Sequence, residues 1–83
     1  MHQDLINYTE NLIKPITNEP DMISVQEFGG DDGDIILEVI VHQSDMGTVI
    51  GKGGKMAGAL RTMVQAYAYL HKLGRVKINI DSF

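Results

Sequence analysis

Three glycines fall within four residues at Gly51-Lys52-Gly53-Gly54, between two stretches that both read as helical, and this break constrains the fold more than any other feature. Glycine takes positive φ at little steric cost and has no Cβ. Such a cluster ends one helix, turns the chain sharply and lets another backbone come close. After the break, Leu60, Val64 and Tyr67 lie on one helical stripe with Ala57 and Met63 flanking it, which predicts a long helix from about Lys55 to Leu73. Gly74 is a fitting stop for it. Before the break, Ser44 and Asp45 carry side-chain oxygens able to cap a short helix running to about Ile50.

The flanking segments have their own periods. Residues 3 to about 17 read as a helix from the spacing of Leu5, Ile6, Leu12, Ile13 and Ile16, with Asp4 in the first turn and Pro15 bending or ending it. Asn18-Glu19-Pro20-Asp21 is a turn by composition. Met22 to Phe28 alternates, with Ile23 and Val25 on one side, as a strand does. Gly29 to Asp34 holds three glycines and no apolar residue, the composition of a hairpin connection. A second strand spans Ile35 to His42; one face is Ile35, Leu37, Val39 and Val41, the other the mixed set Ile36, Glu38, Ile40 and His42. A third spans Arg75 to Asp81, with Val76, Ile78 and Ile80 inward. The expected order is α-β-β-α-α-β. This makes residues 1–83 a single α+β domain, a three-stranded sheet with helices packed on one face.

A length of 83 residues allows only one small core. The lack of cysteine excludes a disulfide framework or thiolate metal site and suits a reducing cytoplasm. Met1-His2-Gln3-Asp4 lacks the basic-then-apolar layout of a signal peptide, and no apolar run approaches the roughly 20 residues that span a bilayer. A cytoplasmic protein without membrane contact is expected. His2, His42 and His71 lie on separate elements, and Asp31, Asp32 and Asp34 lack the loop length and distal Glu of an EF-hand. No metal or other cofactor is therefore expected. Nothing pairs a nucleophile with a base, so the chain does not read as an enzyme.

Charge is distributed unevenly. Residues 1–43 hold nine acids against Lys14 alone, a charge of −8, while residues 44–80 hold six basic residues against Asp45 alone, a charge of +5. A one-sided anion-binding surface follows from that asymmetry despite the net −4. The glycine turn lies at the start of the positive half, where Lys52 and Lys55 adjoin the unpaired N–H groups and positive dipole end of the long helix. Open glycines, free donors and cations together favour phosphate. Val49 and Ile50 offer an apolar wall beside it. A nucleotide-binding P-loop is excluded: Gly47 to Lys52 is one residue short of GxxxxGK, and Gly53 stands where Ser or Thr would bind magnesium. Tyr67 reads as core, and Tyr69 with Ile36 and Ile40 as either a self-association surface or plain exposure.

Gly51-Lys52-Gly53-Gly54, entered through Val49-Ile50-Gly51, resembles the GxxG loop of a KH domain, and the order of elements is that of the type II, prokaryotic-style KH fold. The resemblance extends to the small bacterial single-KH proteins of the KhpA family. It takes in Asp45-Met46-Gly47, Ala59-Leu60-Arg61-Thr62-Met63-Val64 and Val76 to Ile80. It implies single-stranded RNA binding, with about four nucleotides clamped by the loop. By that resemblance Gly51, Lys52, Gly53 and Gly54 approach the RNA backbone, with Lys52 on a phosphate and Ile50 lining the base cleft, while Lys55 and Arg61 add electrostatic pull. The family further implies a small RNA chaperone that self-associates and pairs with a larger KH protein of the KhpB type, in systems affecting cell-wall synthesis and cell length. Thr48, where such proteins often carry a basic residue, and the flexible Gly53 lower the expected affinity. The competing expectation is a KH-fold interaction and dimerisation module whose partner handles the RNA.

Overall fold

Helix α1 (Gln3–Ile13) turns Leu5, Ile6, Thr9 and Ile13 inward. Thr9 is buried without cost to hydrogen bonding, because its hydroxyl donates to the Leu5 carbonyl at 2.8 Å. The α-helix stops earlier than the apolar spacing suggests: Pro15 has no N–H to continue the ladder, and the chain tightens into a 3-10 turn at Lys14–Ile16. A second such turn, Pro20–Met22, delays the first strand to β1 (Ser24–Gly29). These elements belong to a computed structural model that describes residues 2–83.

Strand β2 (Ile35–Val41) is the centre of the sheet. It pairs antiparallel with β1 and parallel with β3 (Val76–Ser82), in the order β1-β2-β3. The parallel partner requires a crossover, which α2 (Met46–Ile50) and α3 (Lys55–Leu70) supply. All three helices cover the face formed by Val25, Ile35, Leu37, Val39, Val41, Val76 and Ile78, and the core lies between the layers. Leu37, Val39 and Val41 are fully buried, each contributing about 1.5–3 kcal/mol of apolar transfer. The other face stays open, with Ile36 and Ile40 half-buried and Phe28 exposed. This is the expected α-β-β-α-α-β layer. Between β1 and β2 the chain turns through Asp32 and Gly33, both at positive φ.

The end of α3 departs from expectation. The helix stops at Leu70, and Lys72, not Gly74, takes the left-handed position (φ 57°). The N–H of Leu73 then donates to the Ala68 carbonyl at 2.9 Å and that of Lys72 to Tyr69 at 3.1 Å, a Schellman closure. Gly74 answers a different need: a Cβ there would lie 2.6 Å from the Gly33 carbonyl oxygen.

Candidate nucleic-acid interface

Gly51 ends α2 at φ 79°, ψ 170°, a region open in practice only to glycine. A Cβ at this position would stand 2.6 Å from the Met56 Cβ and 2.7 Å from its backbone nitrogen, so the turn and the first turn of α3 touch directly. Lys52–Gly54 forms two overlapping tight turns, closed by the Gly54 N–H on the Gly51 carbonyl at 3.1 Å and by the Lys55 N–H on the Lys52 carbonyl, with positive φ at Gly53 and Gly54. Gly53 (φ 64°) and Gly54 (φ 78°) have no neighbouring atom where a Cβ would be. Their backbone faces open space.

No side chain caps the start of α3, and its first turn contains no acid. The positive end of the helix is therefore presented to whatever approaches the loop. Lys52 and Lys55 are exposed, and among the described residues neither they nor Arg61 stand in an ion pair. The other sequence-derived wall divides: Val49 is swallowed by the core, and only the half-buried Ile50 borders the loop.

Edge strand β3 completes the surface. Ile35 donates to the Arg75 carbonyl and Phe83 to the Val41 carbonyl. Alternation in a parallel ladder then turns the backbone groups of Val76, Ile78, Ile80 and Ser82 away from β2. Helix α3 covers part of that edge. Gln65 Nε2 donates to the Val76 carbonyl at 3.3 Å and Arg61 Nε to the Ile78 carbonyl at 3.5 Å. One helical turn earlier stand Ala57 and Gly58, which have no side chain able to reach, so the Ile80 backbone receives no partner from α3. The stretch of edge at Ile80 thus has no side-chain partner from α3 and lies toward α2, the helix that ends in the glycine turn. Arg61 belongs to the border between the two, its guanidinium engaged on the strand; the sequence pattern placed Ile80 on the third strand but gave neither it nor Gly58 a place at the interface.

Asp45, expected as a cap of α2, does something else. Its carboxylate is 1% exposed and accepts the backbone N–H groups of Asn18 at 2.9 Å and Glu19 at 3.0 Å. It ties the loop after α1 to the start of α2 and so holds the element that delivers the glycine turn. Ser44 instead pairs with His42, whose Nδ1 lies 2.7 Å from the hydroxyl and accepts the Ser44 N–H at 3.1 Å. Far from the loop, burial works to raise the Glu27 carboxyl. The hydrogen bonds from the His2 backbone N–H (2.6 Å) and imidazole (2.7 Å), with the attraction of that ring, hold it below the usual carboxylate range.

A second surface was only partly legible. On the outer side of α3, Met63 (49% exposed) and Leu70 (79%) share a stripe, and Tyr69 (75%), next to Leu70, is exposed toward the strand β3 side. Met63 had read as flanking the core stripe; it faces solvent. The seven-residue spacing of Met63 and Leu70 is the signal that marks this second stripe.

Comparison with known proteins agrees with this architecture. A family model described as the KH domain of KhpA/KhpB matches residues 7–80. RNA-binding protein KhpA of Halalkalibacterium halodurans is 42% identical over 72 residues, which cover 86% of this chain and 91% of the relative. Its namesake in Caldanaerobacter subterraneus subsp. tengcongensis is 41% identical over 63 residues, covering 76% and 83%. Among solved structures, Aquifex aeolicus Era bound to GDP.AlF4- superposes with a TM-score of 0.69 at 16% identity, over 95% of this chain but 30% of Era, a likeness of fold alone. The chain belongs to the KhpA/KhpB KH-domain family.

Proposed function

We propose that this KH domain binds single-stranded RNA through the turn Gly51–Gly54, as a binding module and not a catalyst. The observation that carries the reading is the conjunction of an open glycine turn with positive φ, a helix start with no side-chain cap, and Lys52 and Lys55 exposed and, among the described residues, in no ion pair. Phosphates of about four nucleotides follow the glycines, where no Cβ obstructs approach and the positive start of α3 lies close by. Lys52 meets a phosphate, Lys55 and Arg61 add to the positive field, and Ile50 packs against sugars or bases. The Ile80 backbone, with one donor and one acceptor, offers hydrogen bonds to a base edge. Phosphate contacts position the strand without selecting its sequence, so binding is largely sequence-tolerant. Relatives named RNA-binding protein KhpA support the reading.

The test is a titration with a short single-stranded oligonucleotide followed by amide NMR. Shifts concentrated at residues 50–58 and around Ile80 are expected; shifts confined to other surfaces, or none, contradict the assignment.

The same proposal extends to partners. Exposed Met63, Tyr69 and Leu70 suit a second copy of the chain or a larger KH protein of the KhpB type, giving a cytoplasmic RNA chaperone with influence on cell-wall synthesis and cell length. Their exposure also favours a second reading, in which dimerisation is the main task and the partner holds the RNA. Sedimentation with labelled RNA separates them: an interaction-only protein dimerises yet leaves the RNA free.

A further inference from the structure

Aromatic residues gather at the end of α3 opposite the glycine turn. The Tyr8 and Tyr67 rings stack with centroids 4.3 Å apart and planes inclined by 18°, and Tyr67 stacks on His71 at 4.1 Å and 26°. Two rings at those distances cannot share one face of Tyr67, so the three form a column with Tyr67 in the middle. Tyr8 and Tyr67 are half-buried against the core, whereas His71 is exposed. The column therefore ends in a planar π-face open to solvent. Beside it lies an open groove of about 340 Å³ bordered by His2, Asp4, Tyr67, His71 and Leu73. That volume suits a small planar ligand. Lys72 follows His71 directly, exposed and, among the described residues, in no ion pair.

We infer that this column is a second nucleobase site, in which a base stacks on the outer face of His71, Lys72 faces its phosphate and Asp4 accepts a hydrogen bond from an exocyclic amino group. Core packing accounts for the two tyrosines but not for the exposed third ring. Stacking on such a face tolerates any base. As an acceptor, the Asp4 carboxylate favours adenine with its exocyclic N6 amino donor over uracil, which has no amino group and only a ring N3–H to donate. The sixteen residues of α3 separate column and loop by about 24 Å. A strand clamped at the loop therefore reaches the column only if it is longer than the clamp. That source rests on the RNA-binding reading; a free adenine nucleotide would need only the column.

The experiment adds adenosine 5′-monophosphate to the wild type and to a Lys52→Asp/Gly53→Asp variant, with ring-proton NMR as readout. The His71 and Tyr67 ring resonances are expected to move in both proteins, and uridine 5′-monophosphate to bind more weakly. Stationary ring resonances at millimolar nucleotide overturn the site, while loop amides, read separately with RNA, still report on the loop. Equal binding of the two nucleotides overturns the Asp4 contact. His71→Ala should abolish the response and His71→Phe, which restores a planar face, should keep it. For the strand, a twelve-nucleotide adenine-rich RNA should outbind a tetranucleotide, and His71→Ala should cut that advantage about fivefold or more. An undiminished advantage overturns the strand as the source of the base.

Discussion

Replacing Gly51 with alanine tests how the glycine turn is held. At φ 79°, ψ 170° a residue with a Cβ pays about 1–3 kcal/mol in backbone strain. The new Cβ would also lie 2.6 Å from the Met56 Cβ and 2.7 Å from its nitrogen, atoms of the first turn of α3 that move only if the helix moves. Overpacking of that kind adds about 1–3 kcal/mol, so a total near 3–4 kcal/mol is expected. Gly53 is the control. It also sits at positive φ (64°), but no atom lies within 4 Å of its added Cβ, which leaves only the left-handed penalty of about 1–2 kcal/mol. Thermal unfolding of the two variants gives the comparison, since 1 kcal/mol moves the midpoint by about 4–8 °C in a domain of this size. Gly51→Ala should melt about 4–24 °C below Gly53→Ala. Midpoints that coincide would refute the idea that contact with Met56 fixes the turn.

Removing the Asp45 carboxylate as Asp45→Ala leaves the Asn18 and Glu19 N–H groups without their acceptor, and urea unfolding should show a loss of about 2–4 kcal/mol. Glu27 titrates below the usual carboxylate range in the folded chain, so it binds fewer protons there than when unfolded. The stability it contributes is therefore full above the unfolded value of about 4.3 and fades as pH falls through the lower folded one. The difference in unfolding between wild type and His2→Ala should shrink over that acidic window; a difference that grows instead would contradict the His2–Glu27 pairing. For RNA, Lys52→Ala should weaken binding by a similar factor for all sequences and reduce the slope of log affinity against log salt by about 0.7, the value for one phosphate contact on a single strand.

Most of the fold was readable because its signals are local. The alternation from Ile35 to Val41, the stripe Leu60, Val64 and Tyr67, and the glycine cluster each act within a few residues, and the structure keeps the element order they imply. What escaped depends on residues distant in sequence. Asp45 looked like a cap because an acid before a short helix usually is one; its partners lie 27 and 26 residues upstream. Gly74 looked like a helix stop, yet the close approach of Gly33 explains it better and Lys72 closes the helix. The open edge at Ile80 could not be seen at all, since it follows from the parallel pairing of β3 with β2 and from the absence of a side chain at Gly58. The column of Tyr8, Tyr67 and His71 likewise joins opposite ends of the chain.

RNA binding through the turn is tested most directly by the double substitution Lys52→Asp/Gly53→Asp, with affinity for a single-stranded oligonucleotide read by fluorescence anisotropy. Aspartate is compatible with the Gly53 backbone, because Asp32 of this same chain adopts φ 55°, ψ 32°, close to the 64° and 21° of Gly53. The variant should therefore fold, with a melting midpoint no lower than that of Gly53→Ala. Two carboxylates in place of a lysine and an open glycine should abolish RNA binding. Affinity that survives in a folded double variant would contradict the assignment of the turn as the RNA clamp.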